Sequence, residues 1–403
     1  LFVASLSAAS AAELFLETFR GEAYPPAFRN PGPEPGDFAD MVYRDSPLRT
    51  MTWESFRDLD PEQKAPLLGR GPHPYHALLS QQFDRALLDR ICDLATKMRK
   101  IAKTRGGMKF LQDLLSEKRA MLYFSQPSTR TFLSFYAACQ ILGIQAAEVR
   151  DAHTSSEVKG ESQEDSVRTF SSYFDMIIMR HPQGGFAERI AWMLSHTDRP
   201  VPVVNAGSGK DQHPTQALLD IYTLQRSLEK RRGGLEGAQI AFVGDLLRGR
   251  TVRSLSLLLR HYPGVKQYFV APEPLQIGSD ILRKLDEAGV TYEVTADFER
   301  VIPLVDAIYM TRIQDEWDQA GESKAIDTSR FHFRAEHLKV LRPEAIIMHP
   351  LPRRHEIAPE VDADPRAKYW RQVRNGMWVR AVLILMIFDR EREIDRYYDD
   401  LMS

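Results

Sequence analysis

The segment Phe124–Phe135 reads Phe-Ser-Gln-Pro-Ser-Thr-Arg-Thr-Phe-Leu-Ser-Phe, and it indicates how the surrounding chain folds. The run Ala120–Phe124, which leads into it, is short and apolar, as is typical of a buried parallel strand. Pro127 ends that strand, and Ser128 or Thr129 can cap a helix that begins after it. Apolar residues with helical spacing then follow at Phe132, Phe135, Tyr136 and Cys139. The segment therefore predicts a strand, a tight loop and a helix.

The predicted helix start brings together groups that bind anions. The hydroxyls of Ser128, Thr129 and Thr131 lie close to the free backbone N–H groups of the first turn. The Arg130 guanidinium adds a positive charge at the same place. An oxyanion is expected there, and phosphate suits these donors best. Taken alone, the same residues also fit an ordinary capped helix whose arginine faces water.

Length and composition restrict the class of protein. The chain has 403 residues, enough for two or three domains that each bury a core. Lys and Arg number 53 against 55 Asp and Glu, so neither a nucleic-acid partner nor an anionic membrane is indicated. The two cysteines, Cys92 and Cys139, give no disulfide framework and no metal-ligand spacing. We therefore expect a cytoplasmic protein without a metal or organic cofactor.

Short apolar runs alternate with helical patterns along most of the chain, which predicts an α/β fold with two doubly wound parallel-sheet domains. The predicted strands are Ala120–Phe124, Met176–Met179, Val201–Asn205, Gln239–Gly244, Tyr268–Ala271, Tyr292–Thr295, Ala307–Met310 and Ala345–Met348. A long helix is predicted from Pro214, and an apolar final helix, Gly376–Phe388, is expected to be buried.

Breaks in this alternation suggest where the domains divide. Residues 1–72 are rich in proline and glycine but contain aromatic side chains, and we interpret them as an N-terminal extension that packs on its own or a neighbouring subunit. The Arg-Arg-Gly-Gly sequence at 231–234 suggests a hinge. We therefore expect a first domain over 73–230, completed by the C-terminal helix 375–403, and a second domain over 231–374.

Further candidate residues stand where parallel strands or helices end or begin. Arg180 follows a predicted strand, a position that favours anion binding, although pairing with a local carboxylate is equally common. His213 precedes Pro214 at a helix start, where the helix dipole favours the neutral imidazole, although a capping or core role is also common there. Arg250 opens a helix after a glycine turn that lacks the dinucleotide fingerprint.

In their order along the chain, these motifs resemble those of the aspartate/ornithine carbamoyltransferase family. The resemblance covers roughly residues 74–401. The matching motifs are Ser-Thr-Arg-Thr at 128–131, Ser…Lys-Gly-Glu at 155–161, His-Pro-Thr-Gln at 213–216, Gly-Arg-Thr-Val at 249–252, Thr-Arg-Ile-Gln at 311–314 and His-Pro-Leu-Pro at 349–352. The family's fold agrees with the two predicted sheets and implies a carbamoyl-phosphate-binding domain followed by an amino-acid-binding domain.

The resemblance also implies roles for individual residues. The catalytic set would comprise Arg130, Thr131, Lys159, Arg180 and His213, and the substrate-binding set Ser128, Thr129, Ser155, Gln216, Arg250, Arg312, Gln314, Pro350 and Leu351. In the family, the loop that carries the serine and lysine matched by Ser155 and Lys159 reaches into the active site of a neighbouring subunit. A homotrimer with shared active sites is therefore implied, and a regulatory or pathway-enzyme partner is compatible with it.

The implied substrates are carbamoyl phosphate and L-aspartate, which give N-carbamoyl-L-aspartate in pyrimidine biosynthesis. Ornithine enzymes typically have a cysteine after the histidine that corresponds to His349, whereas this chain has Pro350. Arg250 and Arg312 together suit a dicarboxylate. Two alternatives stay open from the sequence: a carbamoyltransferase for another amine such as ornithine, and a catalytically silent homologue that acts as an assembly scaffold.

Overall fold

A computed structural model describes residues 46–150, 160–209, 212–313 and 326–402. Most of the predicted N-terminal extension, residues 1–45, lies outside the described residues. The α-helices, in chain order from α1 to α13, are Trp53–Arg57, Pro61–Lys64, Arg85–Ile101, Arg105–Asp113, Thr129–Ile141, Gln163–Tyr173, Phe186–Ser195, Pro214–Arg232, Arg250–Leu259, Ser279–Glu287, Phe298–Val301, Tyr369–Ile387 and Arg392–Met402.

Two parallel sheets organise these helices, and a short antiparallel hairpin precedes them. The strands, in chain order from β1 to β11, are Gly69–Arg70, His73–Pro74, Arg119–Phe124, Gln145–Val149, Met176–Arg180, Val203–Asn205, Gln239–Val243, Lys266–Val270, Tyr292–Thr295, Ala307–Met310 and Ile346–Met348. The first sheet has the order β4-β3-β5-β6 and the second has the order β11-β10-β7-β8-β9. All neighbouring strands within these two sheets are parallel, which confirms the predicted fold class.

The strand order reverses once in each sheet. In the first sheet the chain passes from β3 to β4 on one side and then returns to β5 on the other side of β3. In the second sheet it runs from β7 through β8 and β9 and then returns to β10 on the other side of β7. The loops that leave the strands at such a reversal diverge to opposite faces, which opens a crevice at the carboxyl edge of the sheet. Each sheet therefore has one such crevice.

The predicted C-terminal helix 375–403 is divided into two helices, α12 and α13. Helix α12 packs against α3, α5 and α8. Helix α12 begins at Tyr369, earlier than the predicted Gly376. Most of its residues are buried, as its apolar pattern predicts. The part of the extension that is described, from residue 46, packs against the first sheet: Leu48, Phe56 and Leu68 share a core with Tyr123 of β3. Among the described residues, no helix has the length and apolar character that crossing a membrane requires.

All eight predicted strands form, with shifts of a few residues at some of their ends. Strand β4, which lies at the edge of the first sheet, was not predicted from the sequence. Its sequence, Gln-Ala-Ala-Glu-Val, lacks the apolar run of the inner strands, and none of its side chains is fully buried. An edge strand contacts the core on fewer sides, so its composition gives a weaker signal.

Candidate active site

Loops that leave β3, β5, β7 and β10 meet around one cavity of about 160 Å³, which we call the central cavity. The strand order reverses between β3 and β5 in the first sheet and between β7 and β10 in the second. The cavity therefore joins the two expected crevices. The predicted site residues that line it are Ser128, Arg130, Thr131, Arg180, His213, Gln216, Arg250, Arg312, Pro350 and Leu351. The fold thus brings together residues that are up to about 220 positions apart in sequence.

The loop after β3 and the first turn of α5 present Ser128, Arg130 and Thr131 to the central cavity. Ser128 occupies the N-cap position of α5, but its side chain makes no capping hydrogen bond, contrary to the role allowed by the sequence. Ser128 lines the cavity instead. Thr129 is the first residue of α5 and is exposed, so the structure does not bring its side chain to the cavity.

Arg130 and Arg312 come from different sheets and face the same cavity. Partial burial lowers the pKa of Arg130, and the positive charge of Arg312 lowers it further. Two guanidinium groups that repel each other across a cavity are stabilised when an anion binds between them. The arrangement therefore favours an anionic ligand in the cavity.

Arg180 stands at the end of β5, where the sequence predicts it. One of its terminal nitrogens, Nη1, donates a hydrogen bond to the carbonyl of Ala206 at 3.3 Å, which holds the guanidinium beside the His213 loop. Gly207 has a φ of +110°, and a Cβ placed on it would lie 2.7 Å from Arg180 Nη1. Only glycine fits both the backbone conformation and the close approach of the arginine.

His213 is almost fully buried at the N-cap of α8. Its Nε2 lies 3.5 Å from Thr131 Oγ1, and its Nδ1 has no hydrogen-bond partner among the described residues. Burial lowers the pKa of His213 well below its usual value, and the charges of Arg250 and Arg180 lower it further. From the sequence, the helix dipole was expected to keep the His213 imidazole neutral, but burial is the larger cause of its lowered pKa. The neutral ring can donate one hydrogen bond to a ligand.

The side chain of Gln216 is oriented by a buried carboxylate, Asp220, which the sequence analysis did not single out. Gln216 Nε2 donates to Asp220 Oδ1 at 2.9 Å, so its carbonyl oxygen remains available to the cavity. Tyr309 of β10 donates to Asp220 Oδ2 at 2.8 Å, and Gln372 of α12 donates to Oδ1 at 2.7 Å. Burial raises the pKa of Asp220 to about 7, although these hydrogen bonds oppose the shift. The network links α8, strand β10 of the second sheet and α12.

The second sheet contributes Arg250, at the start of α9, and Arg312, just after β10. Arg250 donates a hydrogen bond to the carbonyl of Gly209, which belongs to the loop between β6 and α8. The ends of β7 and β10 approach closely because Gly244 has a φ of +118° and no side chain: a Cβ there would lie 2.3 Å from the carbonyl oxygen of Thr311. The two arginines are thereby held on one side of the cavity.

The loop after β11 is shaped by His349. The Leu351 N–H donates to His349 Nδ1 at 2.7 Å, so the ring proton is on Nε2, which donates to Glu356 at 2.7 Å. Leu351 has a φ of +57°, which is unusual for a side chain of its size. The interactions of His349 therefore hold Pro350 and Leu351 in the conformation in which they line the cavity.

Arg380 of α12 also lines the cavity and was missed by the sequence analysis. Its Nη1 donates to Ser134 Oγ at 2.6 Å, and its guanidinium stacks on Phe135 with 4.8 Å to the ring centroid. Burial lowers the pKa of Arg380 to about 9. Its signal in the sequence is a single charge within the apolar stretch of a buried helix, which needs a partner or a ligand. Other lining residues that were not predicted include Gln126, Thr251, His349 and Gln372.

Three predicted site residues, Ser155, Lys159 and Gln314, lie outside the described residues. The structure therefore gives no position for the serine and lysine that the resemblance assigns to a neighbouring subunit. Their roles remain predictions from the sequence.

Comparison with protein families identifies both parts of the chain. Residues 75–226 match the carbamoyl-phosphate-binding domain of aspartate/ornithine carbamoyltransferases, and residues 236–387 match the Asp/Orn-binding domain. The chain belongs to the aspartate/ornithine carbamoyltransferase family. It is therefore a transferase, and the resemblance seen in the sequence motifs is confirmed.

Individual carbamoyltransferases resemble the chain over most of its length. A chloroplastic aspartate carbamoyltransferase of Arabidopsis thaliana is 42% identical over 309 residues, which cover 76% of this chain and 76% of the relative. The aspartate carbamoyltransferase catalytic subunit of Vibrio cholerae is 43% identical over 292 residues, covering 72% of this chain and 92% of the relative.

Solved structures agree with these relatives. The catalytic subunit of M. jannaschii aspartate transcarbamoylase superposes with a TM-score of 0.68 at 37% identity and covers 79% of this chain and 99% of that one. An aspartate transcarbamoylase from Trypanosoma cruzi, in complex with N-(phosphonacetyl)-L-aspartic acid, superposes with a TM-score of 0.69 at 35% identity. It covers 77% of this chain and 94% of that one.

Proposed function

We propose that the chain is an aspartate carbamoyltransferase that transfers the carbamoyl group of carbamoyl phosphate to the amine of L-aspartate. The products are N-carbamoyl-L-aspartate and phosphate, and the reaction is a step of pyrimidine biosynthesis. The observation that carries the proposal is the central cavity, in which phosphate-binding groups of the first sheet face two arginines of the second. The names of the relatives and the ligand of the Trypanosoma cruzi structure agree with this assignment.

Carbamoyl phosphate binds on the side of the first sheet in this proposal. Ser128, Arg130 and Thr131 hold the phosphate through the Ser128 hydroxyl, the Arg130 guanidinium and the free N–H groups of the α5 start, which leaves the Thr131 hydroxyl proton for the carbonyl oxygen. We assign Thr129 only its backbone N–H, because its side chain is exposed. A short distance between donors and a charged phosphate gives strong, directional hydrogen bonds.

Thr131, Arg180 and His213 are placed to stabilise the carbonyl oxygen as negative charge develops on it. Thr131 and His213 already lie within 3.5 Å of each other, so their donors can converge on one atom. The low pKa of His213 keeps its ring neutral, and it acts as a hydrogen-bond donor. Gln216 accepts one N–H of the carbamoyl NH₂ through its own side-chain oxygen, and the carbonyls of Pro350 and Leu351 accept from the other N–H and from the incoming amine.

L-Aspartate binds on the side of the second sheet. Arg250 and Arg312 pair with its two carboxylates, and we include Gln314 from the sequence motif as a further ligand. Fixing the amine against the carbamoyl carbon supplies much of the rate acceleration, because two bound reactants no longer have to meet in solution. Ornithine has a positively charged side chain, which two arginines would repel.

The proton released by the attacking amine passes to the departing phosphate in this mechanism. None of the described residues that line the central cavity is a carboxylate, and His213, with its lowered pKa, is a weak base. A phosphate oxygen becomes more basic as the bond to the carbamoyl carbon breaks, so the leaving group itself is the suitable acceptor.

We further propose that the active unit is a homotrimer in which Ser155 and Lys159 of one subunit complete the cavity of the next. The resemblance of the 155–161 motif supports this proposal. Mixing a Lys159→Ala protein with an Arg130→Ala protein should restore activity, because subunit exchange creates some sites with neither substitution. Mixtures that stay inactive after verified exchange would contradict shared sites.

The division of the chain and its compartment belong to the same proposal. The two family matches meet between residues 226 and 236, which supports separate substrate domains over 73–230 and 231–374. The two cysteines are free and buried, which supports a reduced compartment such as the cytoplasm. Plant relatives carry chloroplastic names, so localisation of the tagged full-length protein in its own cells is the relevant measurement.

A substrate panel tests the proposed reaction. Phosphate release from carbamoyl phosphate is measured with aspartate, with ornithine and without an amine. The proposal predicts rapid release with aspartate only, and Arg283→Ala, an exposed change away from the cavity, should leave the rate unchanged. Faster release with ornithine would assign a different amine. No release with any amine would favour a silent scaffold.

A further inference from the structure

A second cavity, of about 440 Å³, lies between the carboxyl end of α8, the amino end of α12 and helix α3. We call it the basic pocket. Seven of the nine residues that line it are arginines or lysines, and the other two are Ser227 and Asn375. The whole chain has a formal net charge of −2, so this concentration of positive charge is a local feature.

The basic side chains are not neutralised by the described protein. None of the seven has a carboxylate within ion-pair distance among the described residues. A nearby acidic residue, Asp364, is engaged by Arg366 at 2.8 Å. Burial lowers the pKa of Lys368, and the neighbouring charges of Arg231 and Arg371 lower it further. Like charges held in one cavity destabilise the folded chain unless a counter-ion binds.

The position of these charges on α12 is unfavourable for the helix itself. Lys368 is the N-cap of this 19-residue helix, Arg371 lies in its first turn, and no acidic residue is present in that turn. Because a helix N-terminus carries partial positive charge, cations there reduce helix stability and an anion there increases it. Lys230 and Arg231 are different, since they lie in the last turn of α8, where the dipole favours cations.

Several polar contacts fix the walls of the pocket. Arg99 of α3 donates to Asn375 Oδ1 at 2.6 Å, and Asn375 Nδ2 donates to Thr223 of α8 at 2.8 Å. Arg231 Nη1 donates to the carbonyl of Ala345 at 3.1 Å, beside β11. The three helices and the edge of the second sheet are thereby held together around the cavity, so a ligand would meet preformed donors.

We propose that the basic pocket binds a small molecule that carries two or more phosphate groups. Arginine presents paired N–H donors that match phosphate oxygens, and seven positive charges suit a multivalent anion better than a single carboxylate. The volume fits a small molecule. The lining contains no aromatic or aliphatic residue, so the phosphate groups, and not an attached base or chain, supply the recognition.

The pocket also lies back to back with the central cavity. Arg371 and Arg374 line the basic pocket, whereas Gln372 and Val373, between them on α12, line the central cavity. Gln372 belongs to the Asp220 network that orients Gln216. An anion that draws the start of α12 toward α8 would therefore act through Gln372 and Asp220 on Gln216, which contacts carbamoyl phosphate in the proposed mechanism.

Isothermal titration of the full chain with inorganic tripolyphosphate, in a buffer of low ionic strength, tests this site. The central cavity also attracts anions, so the titration is made in an Arg130→Ala background, in which its phosphate-binding side is weakened. Arg371→Gln/Arg374→Gln should weaken binding by about tenfold or more, since both side chains are exposed and their loss leaves the core intact. Arg283→Gln/Lys339→Gln removes the same charge from exposed positions elsewhere and should leave binding unchanged.

Equal affinity in the pocket variant and the control would overturn the proposal.

Thermal unfolding supplies a second readout that does not require the ligand. At low salt, Arg371→Gln/Arg374→Gln should unfold at the same temperature as the parent or at a higher one, because repulsion among the basic side chains is relieved. Tripolyphosphate should raise the unfolding temperature of the parent more than that of the variant. A lower unfolding temperature of the variant, with equal stabilisation by tripolyphosphate, would show that these arginines only support the fold. The titration measures binding alone, so its result is independent of whether the chain transfers a carbamoyl group.

Discussion

The two sheets build the two sides of the central cavity with different chemistry. The first sheet supplies hydroxyls, a buried neutral histidine and Arg130 and Arg180, all placed by backbone that leaves a strand or begins a helix. The second sheet supplies mainly Arg250 and Arg312. Hydroxyls and a neutral donor can stabilise the negative charge that develops on a reacting carbonyl oxygen. Paired arginines instead bind the negative charges that a substrate already carries. In the proposed mechanism, the first side therefore binds and activates the carbamoyl donor, and the second orients the amine acceptor.

Removing Arg130 should break the first side most severely. We expect Arg130→Ala to lower kcat/KM for carbamoyl phosphate by about a thousandfold, because a charged hydrogen-bond donor to the phosphate is lost. Steady-state kinetics with carbamoyl phosphate varied at saturating aspartate measure this loss. Arg283→Ala serves as the control for loss of an exposed arginine. If Arg130→Ala retained most of the parent activity, the first sheet would not hold the phosphate.

Changing His213 should affect the chemical step more than binding. His213→Ala is expected to reduce kcat by about a hundredfold, with little change in the KM of either substrate, because the hydrogen bond to the carbonyl strengthens in the transition state. His213→Gln retains an N–H donor and should recover part of the rate. A large rise in KM with unchanged kcat would place His213 in substrate binding instead.

The second side should respond in the opposite way. Arg312→Ala is expected to raise the KM for aspartate by about 30-fold, since a charged hydrogen bond to a carboxylate is lost, while the KM for carbamoyl phosphate changes little. Varying each substrate at a fixed concentration of the other separates the two effects. Equal effects on both substrates would remove the distinction between the two sides.

Asp220 joins the two sides, and its substitution should have the smallest effect on activity. Asp220→Asn is expected to lower kcat/KM by about fivefold, because only one of the two oxygens that accept from Gln216, Gln372 and Tyr309 remains, which weakens the orientation of Gln216. In the folded chain the pKa of Asp220 is raised to about 7 from 3.8, so the folded state holds a proton that the unfolded state releases. The free energy of unfolding therefore falls as pH rises from about 4 to 7, because the unfolded chain releases this proton more readily than the folded chain.

The pH dependence of unfolding tests this assignment. The free energy of unfolding of the parent, relative to that of Asp220→Asn, should fall across this range and level off above it, as measured by denaturant titration at a series of pH values. A constant difference between the two proteins would show that Asp220 does not bind a proton on folding in this range.

The inner strands could be predicted because a strand buried on both faces requires a continuous apolar run, as in Met176–Arg180. The positively charged and hydroxyl-bearing site residues could be predicted because they stand at the ends of those strands. Edge strand β4 could not, since Ala and Gln carry little strand signal.

Residues that act from within helices were also missed. Arg380 and Asp220 lie in apolar helical stretches, and their importance depends on partners that are far away in sequence, such as Ser134 and Tyr309. The pattern of a single helix reveals that such a charge is buried but does not identify its partner. Thr129 shows the converse: its motif suggests a ligand, but its place on the helix turns its side chain to solvent.

Formation of the new carbon–nitrogen bond tests the central claim most directly. Carbamoyl phosphate with an isotope-labelled carbonyl carbon is incubated with aspartate labelled at its amine nitrogen, and nuclear magnetic resonance detects coupling between the two labels. The account predicts this coupling in the parent protein and in Arg283→Ala, and its loss in both Arg130→Ala and Arg312→Ala at limiting aspartate. Phosphate release without the coupled product, or coupling that neither substitution reduces, would contradict a single cavity that holds both substrates.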